Sequence, residues 1–276
     1  MKELRDKVAA VTGAASGIGR SLAFALAREG CHLALSDLQE AALEEVAAEL
    51  RQLGVRVTVA KLDVADRAAV YAWADRVVAD HGRVNLIFNN AGVALGATVE
   101  GVTYEDFEWL MNINFWGVVY GTKAFLPHLR ASGEGHVINL SSVFGLVGIP
   151  TQGAYNAAKF AVRGFTESLR MELDMMRCGV SATSVHPGGI KTNIARAARL
   201  SESVAAVGAD PKLAHEKMGA NFRTSPDEAA RVILGAVKKN LPRVLVGADA
   251  YVIDAAARLL PAGYQALVRG AAKRMM

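Results

Sequence analysis

Seven short stretches rich in β-branched and aliphatic residues recur along the chain: "KVAAVT", "HLALSD", "VRVTVAKLD", "VNLIFNN", "HVINLSS", "VSATSVHPG" and "RVLVG". Several are apolar almost throughout rather than alternating, the pattern of strands covered on both faces. Longer segments with helical periodicity separate them, so the chain reads as a repeated strand–helix–strand rhythm. The expected architecture is α/β: a doubly wound, seven-stranded parallel sheet, or Rossmann fold, in one domain.

Local punctuation agrees with that rhythm. "EAALEEVAAELRQLG" reads as a helix stopped at Gly54, and "TSPDEAARVILGAVKKN" as one capped by Ser225 with Pro226 in its first turn. No internal repeat or inter-domain linker interrupts the pattern. We place a dinucleotide-binding catalytic domain over 1–250, with a substrate lid at about 190–225, and a helical extension over 251–276. In that extension Tyr251, Val252, Leu259, Leu260, Tyr264, Leu267 and Val268 interleave with Arg258, Arg269, Lys273 and Arg274. This amphipathic pattern suits packing over a pocket, a subunit or a lipid surface, with packing on the protein itself preferred.

Composition narrows the classes. A chain of 276 residues with 52% hydrophobic content buries a substantial core and sits near the upper size of a single α/β domain. The net charge is +4, but Lys and Arg are scattered, so nucleic acid is not an expected partner. Cys31 and Cys178 lie far apart and outside any metal spacing, which argues for reduced thiols and a cytoplasmic setting. The histidines at 32, 81, 128, 136, 186 and 215 are dispersed and form no H-E-x-x-H, so no metal is expected. Apolar runs end too soon for a membrane span.

One short stretch changes the picture. "TGAASGIGR", Thr12 to Arg20, places Gly13, Gly17 and Gly19 where the first strand gives way to a helix. Such a turn lets a pyrophosphate approach bare amides at a helix N-terminus. The second strand ends in Asp37, 18 residues after Gly19, close to the spacing of an acid that holds a ribose.

A second constellation lies further on. "YNAAK" sets Tyr155 and Lys159 at i and i+4 on one helix face, where an ammonium favours the phenolate of an otherwise inert hydroxyl. Ser142 ends the strand "HVINLSS" thirteen residues earlier, at the edge where open α/β sheets bind ligands. Ser141 alternates to the other face and reads as structural.

Taken together, "TGAASGIG", "NNAG" at 89–92, "NINFWG" at 112–117, "SSVFG" at 141–145, "YNAAK" and "HPGGIKT" at 186–192 resemble the compact short-chain dehydrogenase/reductase family in order and spacing. The resemblance implies that Tyr155 is the general acid/base, that Lys159 lowers its pKa and holds the nicotinamide ribose, and that Ser142 binds the substrate oxygen. It implies that Asn114 positions a water in a proton relay. It also implies cofactor contacts from Gly13, Ser16, Gly17, Ile18, Gly19, Asp37, Asp63, Val64, Asn90, Ala91 and Gly92, and from Pro187, Gly188, Ile190 and Thr192 around the nicotinamide. Asn89 reads better as a sheet brace, and Asn112 as a helix-face residue.

The expected activity is therefore NAD-dependent interconversion of a secondary alcohol and a ketone, with a homodimer or homotetramer as the expected assembly. Val93, Leu95, Phe144, Val147 and Ile149 flank the motifs and suit a hydrophobic substrate. NAD is expected over NADP because Asp37 faces the ribose while Ser16 and Leu38 stand where a phosphate-binding cation would be needed. The alternatives are an NADPH-preferring carbonyl reductase of the same family and a dinucleotide-binding regulator without catalysis. A serine hydrolase is disfavoured because no G-x-S-x-G surrounds Ser142.

Overall fold

A computed structural model describes the backbone of residues 1–210 and 222–275, with side chains to residue 271. Part of the expected lid, residues 211–221 with His215, lies outside the described residues, as do the side chains of Lys273 and Arg274. The first half of the chain runs β1 (Val8–Thr12), α1 (Gly17–Arg28), β2 (His32–Asp37), α2 (Glu40–Arg51), β3 (Val57–Lys61), α3 (Arg67–His81) and β4 (Leu86–Asn89). After a short strand β5 (Leu95–Gly96) come α4 (Tyr104–Met111), a π turn (Asn112–Trp116), α5 (Gly117–Ala131), β6 (Gly135–Leu140), α6 (Gly153–Met176) and β7 (Val180–Pro187). The remainder holds β8 (Arg199–Leu200), α7 (Pro226–Lys238), β9 (Arg243–Val246), α8 (Ala248–Leu259) and α9 (Tyr264–Met275).

Seven strands pair in the order β3-β2-β1-β4-β6-β7-β9, every pair parallel. Each strand feeds two cores, which is why the runs are apolar throughout. Along β1, Ala9 and Val11 face a layer built from Leu22 and Leu26 of α1, Leu43 and Val46 of α2 and Ile233 of α7. Val8 and Ala10 face the opposite layer, with Trp73 of α3, Phe125 of α5 and Leu169 of α6. Caps fall where the sequence places them: Ser225 Oγ accepts the Glu228 N–H at 3.1 Å, and Gly54 takes a φ of +79°.

The structure departs from the sequence expectation in two places. β5 and β8 form a separate parallel pair, Leu95 with Arg199 and Gly96 with Leu200, which ties residues 199–200 to the loop after β4. Strands of two residues carry no readable periodicity. The C-terminal extension also fails to bury its apolar face: Tyr251, Val252, Leu259 and Leu267 are 60%, 69%, 80% and 59% exposed. Polar contacts anchor it instead, among them Asp254, which bridges Arg243 at 2.6 Å and Arg258 at 3.0 Å. No helix among the described residues is long and apolar enough to cross a membrane.

The central strands β6 and β7 carry His136 and His186, both fully buried. His136 Nε2 meets Thr183 Oγ1 at 2.8 Å, and that hydroxyl donates to the Leu241 carbonyl, so the imidazole is the donor. Burial pushes His136 down to about 3 and His186 down to about 4. Between pH 6.5 and 4 the unfolded chain therefore binds protons that the folded chain refuses. Stability should fall as pH drops through that window, by up to about 1.4 kcal/mol per pH unit for each histidine. Urea unfolding across this range should show the loss, and His136→Gln should flatten its slope by about one proton; an unchanged slope in the variant would contradict the assignment.

Candidate active site

Strand order reverses between β1 and β4, and the loops that follow these two strands meet at the carboxyl edge of the sheet. Gly13 and Gly17 adopt φ values of +66° and +54°, conformations that glycine takes without strain. A Cβ on Gly19 would fall on the Gly13 carbonyl, so the helix start presses directly against the turn. Asn90 locks the crossing: its Nδ2 donates to the carbonyls of Thr12 at 2.8 Å and Gly13 at 3.1 Å. Thr12 Oγ1 accepts the N–H groups of Asn90 and Ala91, each at 3.0 Å.

The N–H groups of Gly17, Ile18 and Gly19 open α1 and have no partner within the helix, and Ser16, exposed at the cap, makes no side-chain capping bond. Bare donors, glycine spacing and the helix dipole fit a diphosphate. Asp37 does more than its spacing suggests. Its Oδ2 accepts the Ala15 N–H at 3.0 Å and its Oδ1 the Gln39 N–H at 3.0 Å, so it buttresses the glycine turn from the second strand. Leu38 beside it is 55% exposed. Arg20 points away, paired with Glu49 at 3.1 Å and stacked on Phe24.

Asp63 and Val64 follow β3 at the edge of the sheet, where Asp63 Oδ1 accepts the Ala65 N–H and Val64 packs against Gly117. On the other side, Pro187 ends β7 and Gly188 donates to the Val246 carbonyl at 2.9 Å. Ile190 is buried and bridges to Thr224. Thr192 comes close enough to Gly17 that a Cβ there would lie 3.1 Å from its methyl group. The segment 187–192 thus comes against the glycine turn at Thr192.

The candidate catalytic residues converge beside it. Ser142 follows β6, accepts the Phe144 N–H at 3.1 Å and hydrogen-bonds Tyr155. Ser141 turns the other way and donates to the Lys159 carbonyl at 2.8 Å, tying α6 to β6. Lys159 Nζ donates to the Leu140 carbonyl at 2.9 Å and lies 5.5 Å from the centre of the Tyr155 ring. A Cβ on Gly92 would come within 3.7 Å of that ammonium. Asn114 sits in the π turn, fully buried, with Nδ2 and Oδ1 both bonded to the Val93 backbone at 2.8 Å.

Electrostatics differ from the simple expectation of a phenol acidified by its lysine. Burial pushes Tyr155 up to about 12, opposed by the Ser142 hydrogen bond, and the same burial pushes Lys159 down to about 8. Desolvation is the largest cause of both shifts.

Several supporting residues carry no signal in the sequence. Asn156 donates to the carbonyls of Phe144 and Val147 and accepts the Ile149 N–H, holding the loop between Ser142 and Tyr155. His186 Nδ1–H donates to the Ser142 carbonyl at 3.1 Å, and Ser184 Oγ donates to its Nε2 at 3.0 Å. Asn89, by contrast, is the brace expected from the sequence: it donates to Thr122 and to Asn139, which in turn donates to Thr166, a buried network that ties the sheet to α5 and α6. Among the described residues no group of His, Cys, Asp or Glu is arranged to hold a metal ion. A cavity of about 380 Å³ is lined by Leu95, Val99, Phe107 and Thr151 and by Gly153 and Ala154, which precede Tyr155 at the start of α6.

A glycine turn suited to a dinucleotide, beside a buried Ser142 and Lys159 and a half-buried Tyr155, is the arrangement of an oxidoreductase of the Rossmann class. A family profile described as short chain dehydrogenase matches residues 7–203, and the chain belongs to that family. SadH of Mycobacterium tuberculosis is 47% identical over 269 residues, covering 97% of this chain and 96% of that protein. A Burkholderia phymatum short-chain dehydrogenase/reductase in complex with NAD superposes with a TM-score of 0.87 at 30% identity, covering 94% and 95% of the two chains. An alcohol dehydrogenase from Thermococcus sibiricus, complexed with 5-hydroxy-NADP, superposes at 0.74 with 28% identity over 87% and 95%.

The cradle makes a specific demand on Gly19. Gly19→Ala should force the turn open and weaken NADH binding by at least about 10-fold, equivalent to ~1.4 kcal/mol. Titration by NADH fluorescence measures this, and an affinity within about twofold of the unaltered protein would place the dinucleotide elsewhere.

Proposed function

We propose that the chain is an NAD-preferring oxidoreductase that interconverts a hydrophobic secondary alcohol and its ketone, with Tyr155 as general acid/base. The observation that carries this reading is the convergence of buried Ser142 and Lys159 with half-buried Tyr155 beside the glycine turn. The bound nicotinamide would supply or accept the hydride. The Ser142 hydroxyl orients the substrate oxygen, and the Tyr155 hydroxyl gives that oxygen a proton on reduction and takes one from the alcohol on oxidation. With its pKa near 12, Tyr155 holds its proton in the resting site and is poised as the acid. The Lys159 ammonium supports the phenolate as the proton leaves.

Asn114 enters the relay through its backbone, because its side-chain amide is already bonded to Val93. A π turn releases a main-chain carbonyl from its usual partner, which makes this segment a suitable holder for a water. Phe144 meets Tyr155 edge-on at 5.9 Å, and Val93 packs in the same apolar cluster, which supports a hydrophobic carbinol. The Thermococcus sibiricus neighbour is an alcohol dehydrogenase, which agrees with that class. A homo-oligomer belongs to the same proposal: Phe160, Met171 and Met175 recur on one face of α6 and are exposed.

Tyr155→Phe should retain NADH binding and lose at least about 100-fold in rate on a panel of secondary alcohols, the scale of general acid–base catalysis. Near-normal turnover by that variant would remove Tyr155 from the chemistry. Cofactor preference rests on Asp37, whose carboxylate would oppose the NADP phosphate by about 4 kcal/mol for unit charges ~4 Å apart at an effective dielectric near ~20. The unaltered protein should show a higher kcat/KM with NAD than with NADP. Asp37→Asn together with Leu38→Arg should shift use toward NADP while keeping an acceptor for the Ala15 N–H. A preference for NADP in the unaltered protein would overturn the reading of Asp37 and leave that of Tyr155 standing.

A further inference from the structure

The family match ends at residue 203, yet two side chains from far beyond it close on loops of the site. The first is Asp249, in the first turn of α8, whose Oδ2 accepts the Gly189 N–H at 2.6 Å. Its carboxylate fills the space that a side chain at Gly188 would need. Gly247 takes a φ of +96°, and a Cβ there would lie 2.6 Å from Asp249 Oδ1 and 2.8 Å from Thr224 Oγ1. The glycine turn after β7, the start of α8 and the Thr224 segment therefore interlock around one carboxylate. A carboxylate accepting a backbone N–H in the first turn of a helix is also favoured by the helix dipole.

The second is Tyr264, at the start of α9, whose hydroxyl accepts the Gly148 N–H at 3.1 Å. Gly148 belongs to the loop that Asn156 holds through Phe144, Val147 and Ile149. One residue thus grips the loop from α6 and the other from the C-terminal extension. The extension buries little apolar surface of its own, since Tyr251, Val252, Leu259 and Leu267 are exposed. A segment that contributes little to the core but donates two polar contacts to the site is built to shape loops.

We propose that the C-terminal helices brace the active site, with Asp249 and Tyr264 as positioning residues for the loops 187–190 and 144–149. This rests on the reading above that the 187–190 turn borders the nicotinamide. Asp249 would then act on the nicotinamide end of the cofactor alone, and Tyr264 on the loop that carries Phe144.

The full-length protein tests this with NADH and ADP-ribose as paired probes, because ADP-ribose keeps the adenine, both riboses and the diphosphate and lacks the nicotinamide. Asp249→Ala should weaken NADH by about 10-fold and leave ADP-ribose within about twofold; Asp249→Asn, which still offers an acceptor, should recover most of the loss. Tyr264→Phe should leave both affinities unchanged and raise amide hydrogen exchange across 144–150 without raising it across 187–192. Equal weakening of NADH and ADP-ribose, or no weakening of either, overturns the role of Asp249. Failure of Asp249→Ala to fold overturns it too, by assigning the residue to the fold. Unchanged exchange across 144–150 in Tyr264→Phe overturns the role of Tyr264. Absence of ADP-ribose binding to the unaltered chain would defeat the dinucleotide reading itself, a separate result.

Discussion

The close approach of two loops at the β1/β4 crossing is the constraint on which the rest of the site depends. Gly13 must come within reach of Asn90 and Ala91, and Gly19 must press against the Gly13 carbonyl. Small residues alone would leave this crossing loose. Asn90 and Thr12 add four hydrogen bonds across it, so the backbone groups that would be stranded by the tight turn are satisfied. Because both strands are fixed by parallel pairing on either side, the bare N–H groups of α1 are aimed before any ligand arrives.

The Ser142–Lys159 side has a different physical problem, the burial of a lysine with little charge around it. An ammonium placed in an apolar interior is costly unless it is hydrogen-bonded. Lys159 answers this with the Leu140 carbonyl, and its own carbonyl is taken by Ser141. One lysine thereby stitches α6 to the end of β6 at both its backbone and its side chain. His186 continues the stitching by fixing the Ser142 carbonyl from β7. The result is a rigid polar cluster whose groups are matched in pairs, in which a change at one member is felt by its neighbours.

What the sequence made legible follows from length and repetition. The main-sheet strands stand out because each is four to eight residues long and apolar on both faces, and Asn89, expected as a brace, indeed bonds Thr122 and Asn139 across the sheet. Ser141 and Ser142 were separable by alternation alone. β5 and β8 were not legible, since a pair two residues long is specified by tertiary contact rather than by pattern. Asn156 and His186 were equally silent: nothing in "YNAAK" marks its asparagine as a loop clamp, and a histidine after a strand looks the same whether it is incidental or bonded to Ser142. The extension misled for a physical reason. Its amphipathic spacing is genuine, but Asp249, Asp254 and Tyr264 hold it by polar contacts while Tyr251, Val252, Leu259 and Leu267 stay outward.

Asp37 shows how the two halves of this logic join. On the proposed reading its charge would disfavour a phosphate on the adenosine ribose, and the same carboxylate holds the Ala15 N–H in the glycine turn. On that reading, selection between cofactors would be coupled to the geometry that receives either of them. An alanine at 37 would remove the repulsion and the buttress together, so a weakened NADP response in such a variant would reflect a loosened turn as much as a missing cation. Removing charge while keeping an acceptor separates the two effects. The coupling arises because an ionised carboxylate has about four lone-pair sites, enough to serve the backbone on one side and ribose hydroxyls on the other.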